Sequence, residues 1–242
     1  MANWSDPRTT AATGRTVGVG REAAFDAGLR SYMLSIYNYM ASGVLLTGIV
    51  ALLFAQSGLA VQVLTTPLKW VVMLAPLGFV MALSFGINRM KTSTAQALFW
   101  AFAVVMGLSL SSIFLVFTGQ SIATTFFATA AAFAGLSLYG YTTKRDLSAF
   151  GTFLIMGVVG ILVAMIANIF IQSTMLQLAI SVLGVLLFAG LTAYDTQKIK
   201  SMYFQVSGTD FVGKSVVMGA LTLYLDFVNM FTFLLQLVGD RR

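Results

Sequence analysis

The sequence predicts an all-α polytopic membrane protein with seven transmembrane helices, and three observations carry that reading. Of its 242 residues, 58% are hydrophobic and only 9% charged, where a soluble domain carries about 25% charged residues. Seven apolar stretches each approach the ~20 residues that cross a bilayer core. The basic residues between them, Lys69 apart, fall after every second stretch, and so on one side of the membrane. A mean hydropathy of +0.89 agrees.

Residues 1–33 are polar, with Arg8, Arg15, Arg21 and Arg30 set against Asp6, Glu22 and Asp26. No apolar core precedes a cleavage site, so this is not a secretory signal peptide. The stretch is expected to be a largely disordered cytoplasmic tail with a short interfacial helix near 25–32. Candidate spans follow at 34–54, 68–87, 95–117, 122–141, 150–171, 175–194 and 216–238, together forming a transmembrane domain over 34–238, and 239–242 is left as a short tail. Only Thr118-Gly-Gln-Ser separates the third span from the fourth. Their combined length exceeds any single crossing, so Gly119 is expected to mark a tight hairpin. Pro76 should kink the second span by removing a backbone hydrogen bond. Trp70, Trp100, Tyr37, Tyr39, Tyr139 and Tyr141 lie near span ends, as an interfacial aromatic belt requires. Gly43, Gly48, Gly157, Gly160, Gly184 and Gly190 are read as close helix contacts.

The connections set the orientation. Arg89 and Lys91, then Lys144 and Arg145, then Lys198, Lys200 and Lys214 follow the even-numbered spans, on the side of the tail arginines; the other side has Lys69. The positive-inside rule places the N-terminus and the even connections in the cytoplasm. Seven crossings then leave Arg241 and Arg242 outside, against that bias.

The net charge of +6 is therefore loop charge rather than a nucleic-acid signal. Cysteine and histidine are absent, which excludes disulfides, thiol nucleophiles, Cys or His metal sites and the usual switch residue near neutral pH. Proton chemistry falls on eight acids, and a cation site must be built from oxygen. Asp6, Glu22, Asp26, Asp146, Asp210 and Asp240 lie in tails or connections and read as solvated charge. Asp195, at the end of the sixth span, and Asp226, inside the seventh, remain.

A carboxylate at bilayer depth costs on the order of 3 kcal/mol on insertion scales. Helical spacing puts Gly219, Thr222, Asp226, Asn229 and Gln236 on one face of the last span, with Leu223, Leu225, Phe227, Val228 and Leu234 in other directions. Such a stripe faces protein or trapped water, and either glues helices together or serves a function. Asp195 lies within a turn of Lys198 and reads equally as an interfacial ion pair or as a functional acid. The two acids meet only if the sixth helix continues past Tyr194 or the seventh starts late. If they meet, two carboxylates in one low-dielectric site cannot both ionise cheaply and are expected to share a proton. Once fully ionised, their oxygens suit a hard cation such as Ca²⁺. Arg89 ends the second span on the same side and could hold a carboxylate through two hydrogen bonds. An intramembrane aspartyl protease would also need two aspartates, but its Gly-x-Gly-Asp context is missing around both, so no enzyme and no cofactor are expected.

Thr142-Thr-Lys-Arg-Asp-Leu-Ser, Tyr194-Asp-Thr-Gln-Lys-Ile-Lys and Leu223-Tyr-Leu-Asp-Phe-Val-Asn-Met-Phe, in this order and spacing, resemble motifs of the transmembrane Bax-inhibitor-motif family. The resemblance implies seven helices with the last one central and six packed around it, in the inner membrane of a bacterial cell. It implies a proton-sensitive Ca²⁺ leak gated by Asp195 and Asp226, with Arg89 at a latch and Ca²⁺ and protons as partners in the bilayer; Thr222 and Asn229, placed on the same face by helical spacing, are the expected supporting polar face. It also implies an alternative, a regulator that binds a membrane-anchored AAA protease through its polar tail.

Overall fold

The chain is described here by a computed structural model covering residues 7–242, with side chains from Phe25 onward. Of the expected tail, 1–6 and the side chains of 7–24 lie outside the described residues. The helices are α1 (Pro7–Gln56), α2 (Leu59–Thr65), α3 (Leu68–Gly86), α4 (Thr92–Val116), α5 (Gly119–Thr142), α6 (Ser148–Ile171), α7 (Thr174–Val206) and α8 (Val212–Val238). Seven are long and apolar enough to cross a membrane. The extra element, α2, is a short helix between the first and second spans.

Helix α8 is the axis. In its most apolar window 56% of the residues are buried, against 11–28% in the other spans. It packs against α7, α1, α5 and α4, while α3 lies outside on α4 and α6 outside on α7. Four helices thus form the first ring around it, and two complete the outer layer. The outward faces of α3 and α6 expose large apolar side chains such as Phe85, Phe153 and Phe170, as lipid contact requires.

Three boundaries differ from the sequence reading. The bundle begins before residue 34, because Leu29, Tyr32 and Met33 are buried. Helix α7 runs twelve residues past Tyr194, through the stretch holding Lys198 and Lys200 that read as a connection. The cause is an apolar stripe, Ile199, Tyr203 and Val206, spaced to fall on one helical face and buried in the core. Tyr203 packs at a tilt against Phe25 and Tyr32, with centroids 5.1 and 5.2 Å apart, so the two extensions support each other. Between α4 and α5 the turn is Phe117-Thr118, and Gly119 is the first helical residue: the Thr118 hydroxyl accepts from Ser121 N–H at 3.3 Å, an N-cap that starts the helix abruptly.

Of the six glycines read as packing contacts, four are so used: Gly43 lies under Phe99, Gly157 under Leu187, Gly184 under Phe233 and Gly190 under Leu154, while Gly48 and Gly160 face open space. Pro76 lies buried inside α3, which continues through it as one helix.

Candidate functional site

The continuation of α7 settles the depth of the two acids. Asp195 lies 11 residues before the end of α7 and Asp226 lies 14 residues into α8. At ~1.5 Å per residue these are ~16 and ~21 Å from the connection that joins the two antiparallel helices. The acids stand at similar depth on facing helices. Their side chains lie within hydrogen-bonding reach of one another, and both are buried, at 9% and 4% exposure.

Two ionised carboxylates offer only acceptors, so this contact is a hydrogen bond only when a proton lies between them. The surroundings reinforce the point. Asp226 Oδ2 is buried and receives no hydrogen bond among the described residues. Lys198 follows Asp195 by one turn along α7, and its ammonium lies 5.8 Å from the Tyr194 ring centre. Among the described residues no third acid joins the pair to make a cluster of three. Two carboxylates can supply part of the six to eight oxygens that Ca²⁺ takes; carbonyls or water must supply the rest.

The other sequence candidates are dispersed. Arg89 is exposed in the turn after α3, where its backbone N–H donates to Gly86 O at 2.9 Å, whereas both acids are buried. Thr222 is half-buried and donates its hydroxyl to Met218 O of its own helix at 3.0 Å. Asn229 is half-buried one turn beyond Asp226. Gln236 ends the same stripe in an amide cluster, accepting from Gln177 Nε2 at 2.8 Å, while Gln177 Oε1 accepts from Asn168 Nδ2 at 3.1 Å. Between the acids and that cluster stands an aromatic pair, Phe188 and Phe233, stacked with centroids 5.9 Å apart.

Sequence reading missed the hydroxyl bridges that hold the ring around α8. Tyr37 on α1 meets Ser137 on α5 at 2.5 Å, and Ser137 meets Thr196 on α7, the residue after Asp195, at 2.9 Å. Thr47 bonds the Tyr224 hydroxyl at 2.7 Å and donates to Ala103 O at 2.8 Å, tying α1 to α8 and α4. Tyr32 meets Ser215 at 2.5 Å at the start of α8. All three bridges begin on α1. A signal for one was present: Ser137 sits three residues from Gly140, where α5 presses on the backbone carbonyl of Ala193 so closely that a Cβ has no room.

Two of the motifs that carried the resemblance are joined. Gln197 of the α7 motif accepts from Leu147 N–H at 2.9 Å and donates to Arg145 O at 2.7 Å, in the α5–α6 connection. Lys200 donates to Tyr141 O at 2.8 Å. In the same connection Asp146 accepts from Ser148 N–H at 2.9 Å. Hydrogen bonding from Ser148, side chain first and then backbone, holds this exposed carboxyl below its ordinary range.

Comparison with known proteins gives a consistent assignment. The family model described as "Inhibitor of apoptosis-promoting Bax1" matches residues 29–242. A Caulobacter vibrioides protein is 46% identical, over 91% of this chain and 93% of its own. A Rickettsia prowazekii protein, RP147, is 45% identical over 92% and 94%. The Escherichia coli inner membrane protein YbhL is 44% identical over 89% and 94%. With seven membrane-length helices and a match that begins where the buried core of α1 begins, the chain belongs to the Bax inhibitor family of integral membrane proteins.

Proposed function

We infer that the protein is a proton-responsive cation leak of a bacterial inner membrane, with Asp195 and Asp226 as joint proton sensor and Ca²⁺ contact site. The observation that supports it is the buried meeting of two carboxylates from facing helices, one of which has an oxygen that receives no donor among the described residues. With a proton between them, the pair fastens α7 to α8. With both ionised, like charges a few ångströms apart repel strongly at low dielectric, and the freed oxygens suit a hard cation. The inner-membrane assignment rests on the relative YbhL, an inner membrane protein, and the basic connections point to a cytoplasmic N-terminus. Arg89 is assigned the ionised form, since a guanidinium takes a carboxylate through two hydrogen bonds. No bond-making chemistry is required.

The decisive measurement is Ca²⁺ entry into liposomes holding the purified protein, followed from about pH 5 to 8, the range a shared-proton pair serves in place of histidine. Entry should vary with pH, and Asp226→Asn should abolish that variation, since an amide donates to Asp195 at every pH. Flux and pH dependence both intact in Asp226→Asn would show the reading to be wrong. Removing residues 1–24 should leave flux unchanged; a protease partner held by the tail would instead be lost.

A further inference from the structure

Helices α1 and α5 both pack on α8 but scarcely touch each other. They are bridged by the Tyr37–Ser137 hydrogen bond, and the seam is otherwise hollow. Two cavities run along it, of about 640 and 360 Å³, and both are bounded by Val44, Phe126 and Phe227. Phe227, next to Asp226, is a floor that α8 lends to the groove.

The lining and length identify the occupant. Arg30 stands at one end of the larger cavity and Val44 at the other. These residues are fourteen apart on one helix, or ~21 Å. Half the hydrocarbon core is ~15 Å, so the cavity runs from headgroup level to about the bilayer midplane. Ala41, Ala130 and Ala134 leave its walls shallow, and the Tyr37 and Ser137 hydroxyls satisfy each other, which makes it a poor path for water. A helix ~10 Å across and as long would need roughly 1,600 Å³, well beyond the space present. The mouth is cationic: Arg30 is exposed, and Lys200 sits 4.7 Å from the ring centre of Tyr141, which lines the same cavity.

We propose that the α1–α5 groove is a binding site for an anionic phospholipid of the leaflet on the basic side, its phosphate at Arg30 and one acyl chain along the seam to Val44. Arginine matches phosphate oxygens with two parallel hydrogen bonds, and the apolar walls match the chain. The site is independent of the ion-leak reading.

The test is native mass spectrometry of the full chain in mild detergent with phosphatidylglycerol or phosphatidylcholine of identical chains. The wild type should retain one phosphatidylglycerol in preference, by ~10-fold, the scale of one charge-assisted hydrogen bond. Arg30→Gln, a surface change that leaves the core intact, should reduce that preference to none. Ala134→Phe, which fills the groove, should remove the retained lipid of either kind. Arg242→Gln, at the far end of the molecule, should behave as wild type. Equal retention of the two lipids by wild type, or a preference that survives Arg30→Gln, overturns the proposal, as does a retained lipid indifferent to Ala134→Phe in a folded protein.

Discussion

Gly184 of α7 lies beneath the ring of Phe233 of α8, so closely that a Cβ at 184 would stand 2.6 Å from it. The same ring stacks on Phe188, with centroids 5.9 Å apart, and Phe233 is buried. The stack is an apolar layer between the acid pair and the amide cluster of Gln177 and Gln236. Gly184→Ala should therefore destabilise the protein by about 1–3 kcal/mol through overpacking, read as a lower thermal midpoint in detergent. In the ion-leak reading the same layer is a hydrophobic constriction, and Phe233→Leu should raise Ca²⁺ entry without altering its pH dependence. A variant whose pH dependence disappears along with the ring would show that the layer and the sensor are not separate parts.

The Thr47–Tyr224 bridge offers a cleaner stability test. Thr47→Val keeps the shape but leaves the buried Tyr224 hydroxyl unpartnered, a loss of about 1–3 kcal/mol. Adding Tyr224→Phe should recover much of it, because removing both partners costs less than removing one. Equal and additive losses in the two single variants would mean that the bond contributes little.

Gln197 pins the α5–α6 connection with two hydrogen bonds of about 1 kcal/mol each. Gln197→Leu should release that connection while leaving the bundle folded. Trypsin cleavage after Lys144 and Arg145 should accelerate by ~10-fold or more, since cleavage follows the population of the opened form. Unchanged cleavage kinetics would place the anchorage elsewhere, with Lys200 the first residue to examine.

Asp146 gives a pH effect of known sign. Its carboxyl is held below the ordinary range by Ser148, so its contribution is complete above the pKa of the unfolded chain, ~3.9, and is lost as pH falls through the lower folded value. The group is exposed and the effect should be small. The thermal midpoints of wild type and Asp146→Ala should differ at neutral pH and converge in strong acid, once the pH has fallen through the lowered folded value and the carboxylate is protonated. A difference that persists unchanged in strong acid contradicts the assignment.

The spans were legible because hydropathy over ~20 residues is a strong signal, and Asp226 because charge in such a span is costly. The meeting of Asp195 with Asp226 was not legible. It depends on the extension of α7 to Val206, where Lys198 and Lys200 suggest a connection and outweigh Ile199, Tyr203 and Val206 in any average over the stretch. Periodicity held the answer that composition concealed. The stripe on α8 was legible as a face, yet Leu223, Phe227 and Val228 on its other sides are equally buried, because the helix is surrounded. Tyr37, Ser137 and Thr47 were overlooked because a hydroxyl in a membrane helix satisfies itself on its own backbone as readily as on a neighbour; which it does is decided by packing alone.

The last residues are bonded to the turn between α4 and α5: Thr118 N–H donates to Asp240 O at 3.0 Å, Arg242 N–H to Val116 O at 2.9 Å, and Asp240 N–H to the Ser121 hydroxyl at 2.9 Å. The helix around which the others pack is thus tied, beyond Gly239, to the hairpin that joins two of its own neighbours. A pull on this segment is carried into α4 and α5 together, so cutting these bonds loosens three helices at once rather than fraying one.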